Sequence, residues 1–132
     1  MRIRWLLLAA GFCDAATGIA LLLAPLATLG LMGIEDGPRD PALLRFVGAF
    51  VLGVGAFYLR VLLGRPRPEQ LATLLGGTAL IRCLVGSYVS VALFAGWLPL
   101  PWLSVALTDL ALALIQWTLL AGGKLDEPRS IG

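Results

Sequence analysis

At 132 residues, 59% of them hydrophobic and 14% charged, with a mean hydropathy of +0.92, the chain is far more apolar than a soluble domain, in which about 25% of residues are charged. Its net charge of +2 rests on nine arginines and one lysine against eight acids, a basicity that reports membrane orientation and excludes a nucleic-acid surface. The expected fold is an all-α polytopic integral membrane protein: a compact antiparallel four-transmembrane-helix bundle forming one membrane domain over residues 1–132, with no length left for an aqueous domain.

The first apolar block runs from Trp5 to Leu31, longer than the ~20 residues that cross a bilayer. Its helix is expected to bend or finish at Ala24-Pro25, because Pro25 lacks a backbone donor and crowds the preceding turn, leaving a short tilted or interfacial extension. Arg2 and Arg4 ahead of an apolar run imitate a signal peptide, and Ala10-Gly11-Phe12-Cys13 imitates a lipoprotein cleavage signal. That signal wants a small residue before its cysteine, where Phe12 stands, and apolarity continues to Leu31. A retained first helix is therefore expected.

The second block, Ala42–Leu63, carries Gly48, Ala49, Gly53, Val54, Gly55 and Ala56. Small residues allow close helix approach, and Ala49 to Gly53 is the small-x-x-x-small spacing. The third block, Leu71–Gly96, contains Gly76, Gly77 and Gly86, and Trp97-Leu-Pro-Leu-Pro-Trp102 makes a tight reversal into the fourth, Trp102–Ala121. Such short connections predict antiparallel neighbours.

Arg2, Arg4, Arg60, Arg65, Arg67, Lys124 and Arg129 belong to one side of this arrangement, and Arg39 and Arg45 to the other. Seven against two predicts cytoplasmic termini in a bacterial cytoplasmic membrane, with the Glu35–Pro41 break opposite. Trp5, Trp97, Trp102 and Trp117 stand near block ends, where indole rings meet headgroups. Cys13 and Cys83 lie inside blocks, which predicts reduced thiols that serve packing.

The main functional clue is charge within the blocks, since an ionised side chain at mid-membrane is costly unless it faces a partner or polar cavity. Gly11, Asp14, Gly18 and Leu21 share a helical stripe with Thr17 beside it; Thr78, Arg82, Val85, Gly86 and Val89 form a second, and Val105, Asp109, Leu112, Ala113 and Gln116 a third. Arg82 is the natural counterion for at least one acid. Two acids around it leave a formal charge of −1, which a retained proton would balance. Asp14, Arg82, Asp109, Thr17 and Gln116 are thus the candidates for ligand binding or proton coupling, beside the plainer reading of a structural ion triad that registers the helices. Arg45 and Arg60 are placed where they can snorkel to headgroups, and Tyr58 and Tyr88 read as interfacial or packing residues.

The absence of histidine removes histidine-ligated haem and histidine-based acid–base catalysis, and two separated cysteines with two acids make no metal signature. No catalytic residue is identified. A bound lipid or quinone fits an apolar cavity with few polar groups, although no motif selects either. The four-span layout resembles the DoxX-like group and the small multidrug transporters. With the latter it shares an acid in the first helix, Asp14, which the resemblance would make a proton and cation site; no further motif matches. The leading reading is a small membrane scaffold or accessory protein that binds a membrane partner, a second copy or an amphipathic ligand. The alternatives are a small proton-coupled transporter using Asp14, Arg82 and Asp109, and a lipid-modifying membrane enzyme.

Overall fold

The computed structural model describes residues 2–37 and 39–123. Lys124 and Arg129, which entered the charge count, lie outside the described residues. Helix α1 spans Arg2–Leu23, α2 Pro25–Leu31, α3 Pro41–Leu63, α4 Pro68–Phe94 and α5 Leu103–Ala121, the last preceded by a 3-10 turn at Leu100–Trp102. Every described element is helical, and four helices are long and apolar enough to cross a membrane. This is a small all-α membrane protein with a four-helix transmembrane bundle.

Local chemistry sets the helix ends. Ala24 leaves the helical region (φ −139°, ψ 66°) and Pro25 opens α2, in line with the break expected there. At the end of α2, Gly33 takes φ +75°, which lets Ile34 N–H reach Leu29 O at 2.9 Å and folds the fully buried Ile34 onto Leu29. Asp40 caps α3 by accepting from Ala42 N–H at 2.8 Å, with Pro41 in the first turn. The Gln70 side chain accepts from Arg67 N–H at 3.0 Å at the start of α4. Gly96, at φ +74°, closes α4, and Trp97 N–H bonds back to Ala92 O at 2.8 Å. Helix α4 accordingly starts three residues before the apolar run and stops two short of Gly96.

The four spans pack as two pairs. α1 runs antiparallel along α3, and α4 along α5, whereas close backbone approach between the pairs is confined to α3 and α4. The α1–α3 seam is built on Gly11 and Gly18 of one helix and Gly48 and Gly55 of the other, each pair seven residues apart and hence on one face. A methyl group at Gly18 would sit 2.7 Å from Leu52 Cα, and one at Gly55 would sit 2.8 Å from Gly11 O. Ala49 and Gly53, which the small-x-x-x-small spacing singled out, face outward, with nothing within 4 Å of a methyl added at Gly53. The seam selected the seven-residue spacing because antiparallel helices in long contact meet along one stripe every two turns.

Two apolar clusters hold the ends. Leu7, Tyr58, Leu62, Leu74 and Leu75 fill the end that carries the α3–α4 connection, where Arg4 also donates to Leu62 O at 2.8 Å. Leu29, Ile34 and Leu44 fill the other. Large apolar side chains such as Phe46, Leu84, Phe94 and Leu114 point outward, the orientation lipid requires. Both cysteines are free; Cys13 is exposed on the outer face of α1 and so does not serve packing, while Cys83 is half-buried.

Candidate functional site

Each charged residue is carried to mid-membrane by the interior of a long helix. Asp14 projects from α1, Arg82 from α4 and Asp109 from α5, and the bundle brings all three together. Arg82 Nη1 donates to Asp109 Oδ1 at 2.6 Å, and Nη2 donates to Asp14 Oδ2. The guanidinium is thus shared between an acid of its own helix pair and an acid of the other. Because Arg82 is 5% exposed, its charge depends on these acceptors.

The centre continues into a neutral polar layer one turn away. The Arg82 guanidinium carbon lies 5.9 Å from the centroid of the Tyr58 ring, a cation–π distance. Gln116 Nε2 donates to the Tyr58 hydroxyl, and the Thr78 hydroxyl donates to Leu74 O at 2.7 Å while standing 3.4 Å from Gln116 Oε1. Tyr58, Thr78 and Gln116 are all buried. The Tyr58–Gln116 bond joins α3 to α5 as the Asp14–Arg82 pair joins α1 to α4, so side chains make both of these crossings where the backbones stay apart. Removing the hydroxyl in Tyr58→Phe is expected to destabilise the fold by about 1–3 kcal/mol, the cost of an orphaned buried amide. Denaturant unfolding in mixed micelles checks this, and unchanged stability would refute it.

Beside the centre, a cleft of about 490 Å³ opens between α3 and the α4–α5 pair. Asp14, Arg82 and Asp109 border it, and its walls are mainly apolar, with Val47, Phe50, Val85 and Val89 among them. The two acid side chains are 19% and 16% exposed against 6% for Arg82, so the acids, more than the cation, are open to their surroundings. The formal sum of one cation and two carboxylates is −1. Arg82 Nε and Trp102 Nε1 are buried without a hydrogen-bond partner among the described residues, and both residues line the cleft.

Four of the five residues singled out from the sequence belong to this assembly: the triad directly, and Gln116 through Tyr58. Thr17, half-buried on α1, joins neither the network nor the cleft lining. Of the two readings of Tyr58, interfacial or packing, the structure shows the second, a fully buried residue of the core cluster, and adds a place in the polar network. It lies on the stripe Leu44, Gly48, Gly55, Tyr58 and Leu62, all of them buried, and the seven-residue glycine spacing is the signal that would have placed it inside. Trp102 departs from the belt role: Trp5, Trp97 and Trp117 are exposed, but Trp102 is half-buried with its indole nitrogen fully covered. Arg45 remains exposed and donates to Leu22 O at 3.2 Å across the α1–α3 seam. No family model matches the chain, nor does any curated protein or solved structure.

Proposed function

We propose that this chain is a small proton-coupled membrane transporter in which the Asp14, Arg82 and Asp109 centre takes up the proton and the adjoining cleft receives the substrate. The observation that carries this reading is that the buried arginine bridges two separately packed helix pairs and borders a cleft between them. The formal charge of −1 leaves room for one proton. Its placement has unequal consequences: a proton on Asp109 weakens a tie within the α4–α5 pair, whereas a proton on Asp14 weakens the charged one of the two side-chain ties between pairs, leaving the Tyr58–Gln116 bond. Asp14 is therefore assigned the coupling role, because loosening that tie frees one pair to rock against the other around a fixed site, the motion alternating access requires.

Proteoliposomes carrying a pH-sensitive dye in the lumen test this. Tetraphenylphosphonium, a decyl-substituted benzoquinone and octanoate, added in turn, cover the cationic, uncharged and anionic amphiphiles. One class is expected to drive proton movement well above protein-free liposomes, and Asp14→Asn is expected to abolish it while Asp109→Asn retains part. Equal flux in wild type and Asp14→Asn would overturn the assignment. Absence of flux with all three would favour the second reading, an accessory protein that holds an amphipathic ligand without moving it, which the cleft's mainly apolar walls support.

The orientation proposed is that of a bacterial cytoplasmic membrane with both termini inside, on the strength of the charge asymmetry. A cysteine introduced at Asp36, exposed in the Glu35–Pro41 break, is expected to react with an impermeant thiol reagent applied to intact cells in a background with Cys13 and Cys83 replaced by serine, and one at Gly64 is expected to stay unreactive until the cells are opened. The reverse pattern would invert the topology.

A further inference from the structure

We infer that the Asp14, Arg82 and Asp109 centre is reached from one end of the bundle only, the end that carries α2 and the Trp97–Trp102 reversal, and that the other end is sealed by the Tyr58, Gln116 and Thr78 layer with the leucines behind it. The inference rests on the proposed function only in taking the centre to exchange with an aqueous compartment, and it adds the side. Its first support is the extent of the cleft. On each helix the lining leaves the centre in the same direction: on α3 from Val54 back to Asp40, on α4 from Ile81 to Val89, and on α5 from Asp109 back to Val105, with Leu98 and Trp102 beyond. The α3 stretch alone is about 20 Å of helix axis, more than the ~15 Å from the bilayer centre to its headgroups. Asp40, at its far end, is exposed. Among the described residues, none of α1 before Asp14, of α3 after Val54, of α4 before Ile81 or of α5 after Asp109 borders the cleft.

In the opposite direction every helix places a buried side chain below the centre. Leu7 lies seven residues before Asp14 on α1, Thr78 four before Arg82 on α4, and Gln116 seven after Asp109 on α5, spacings that keep each on the stripe of its charged residue. Helix α3 supplies Tyr58, whose hydroxyl accepts from Gln116 Nε2 and whose ring faces the guanidinium. None of these four is more than 2% exposed. Behind them Leu62, Leu74 and Leu75, buried as completely, fill the end that carries the α3–α4 connection. Packed apolar side chains leave no room for water, and an apolar constriction bars ions by staying dry. The Tyr58–Gln116 bond crosses from one helix pair to the other on this side, so it holds the seal closed where the cleft side stands open. Open toward one face and shut toward the other is the arrangement of a single state of an alternating-access protein.

Val85 and Thr78 bracket Arg82 on α4, three residues toward the cleft and four toward the seal. Each is replaced singly by cysteine in the full chain with Cys13 and Cys83 changed to serine. The probe is the trimethylammonium-ethyl methanethiosulfonate cation, which does not cross membranes and needs the thiolate, the form a thiol takes where water reaches it. Intact cells and inverted membrane vesicles present the two sides in turn, and Asp36→Cys and Gly64→Cys mark which is which. Val85→Cys is expected to be modified from the Asp36 side and to stay unmodified from the Gly64 side. Thr78→Cys is expected to stay unmodified from both sides and to react fully once unfolded in sodium dodecyl sulfate. Leu75→Cys, deeper in the seal, is expected to repeat that result independently of the Thr78 hydrogen bonds. Modification of Val85→Cys from the Gly64 side, its protection from both sides, or modification of both seal positions in the folded protein would overturn the inference. One-sided labelling without flux in proteoliposomes would remove the transporter reading and leave this one standing; flux with Val85→Cys modified from the Gly64 side would do the opposite.

Discussion

Replacing Arg82 by leucine is expected to cost about 3–5 kcal/mol of fold stability, the range for breaking a buried ion pair by removing one partner. Leucine fills much of the space but leaves Asp14 and Asp109 facing each other without the cation they share. It also removes the charge above the Tyr58 ring and the tie between α1 and α4. The comparison that separates electrostatics from packing is the triple variant Arg82→Leu with Asp14→Asn and Asp109→Asn. Exchange of a whole buried ionic group for neutral residues is often close to neutral, so the triple variant is expected to recover most of the loss. Reversible unfolding followed by circular dichroism in mixed micelles gives both numbers. An Arg82→Leu protein as stable as wild type, or a triple variant no better than the single, would refute this account of the centre.

The second large effect is steric and lies in the α1–α3 seam. Gly18→Ala adds one methyl group, yet that group would stand 2.7 Å from Leu52 Cα, and backbone cannot turn aside as a flexible side chain does. A loss of about 3 kcal/mol is expected, at the upper end of overpacking costs because the two helices must separate. Gly53→Ala, on the same helix as Gly48 and Gly55 but with open space around it, is expected to stay within about 0.5 kcal/mol of wild type. The identical substitution at two glycines thus reads out seam geometry rather than helix propensity. Equal destabilisation at the two positions would contradict the packing described for this pair.

Much of this was legible in the chain. Hydrophobic length determined four spans, because a helix that crosses lipid must satisfy its own backbone and hide its polar groups, and that requirement is written residue by residue. The break at Pro25 was readable for the same local reason, as were the depths of Asp14, Arg82 and Asp109. Their union was legible as an expectation, since at mid-membrane an arginine has few other ways to be compensated.

Which helices pair closely, and what lies between the pairs, only the tertiary structure decided. Every span is apolar on most faces, so hydrophobicity does not distinguish a lipid-facing stripe from a packed one. Gly53 and Gly55 look alike in sequence, yet one opens outward and the other lies against Gly11 O. Tyr58 and Tyr88 are equally plausible at a headgroup boundary, yet one is fully buried beneath Arg82 and the other is 62% exposed beside the cleft. The cleft arises from long-range geometry: α1 closes on α3 along its glycines, α4 packs along α5 with Gly86 against Leu110, and the gap left between the pairs belongs to no single stretch of sequence.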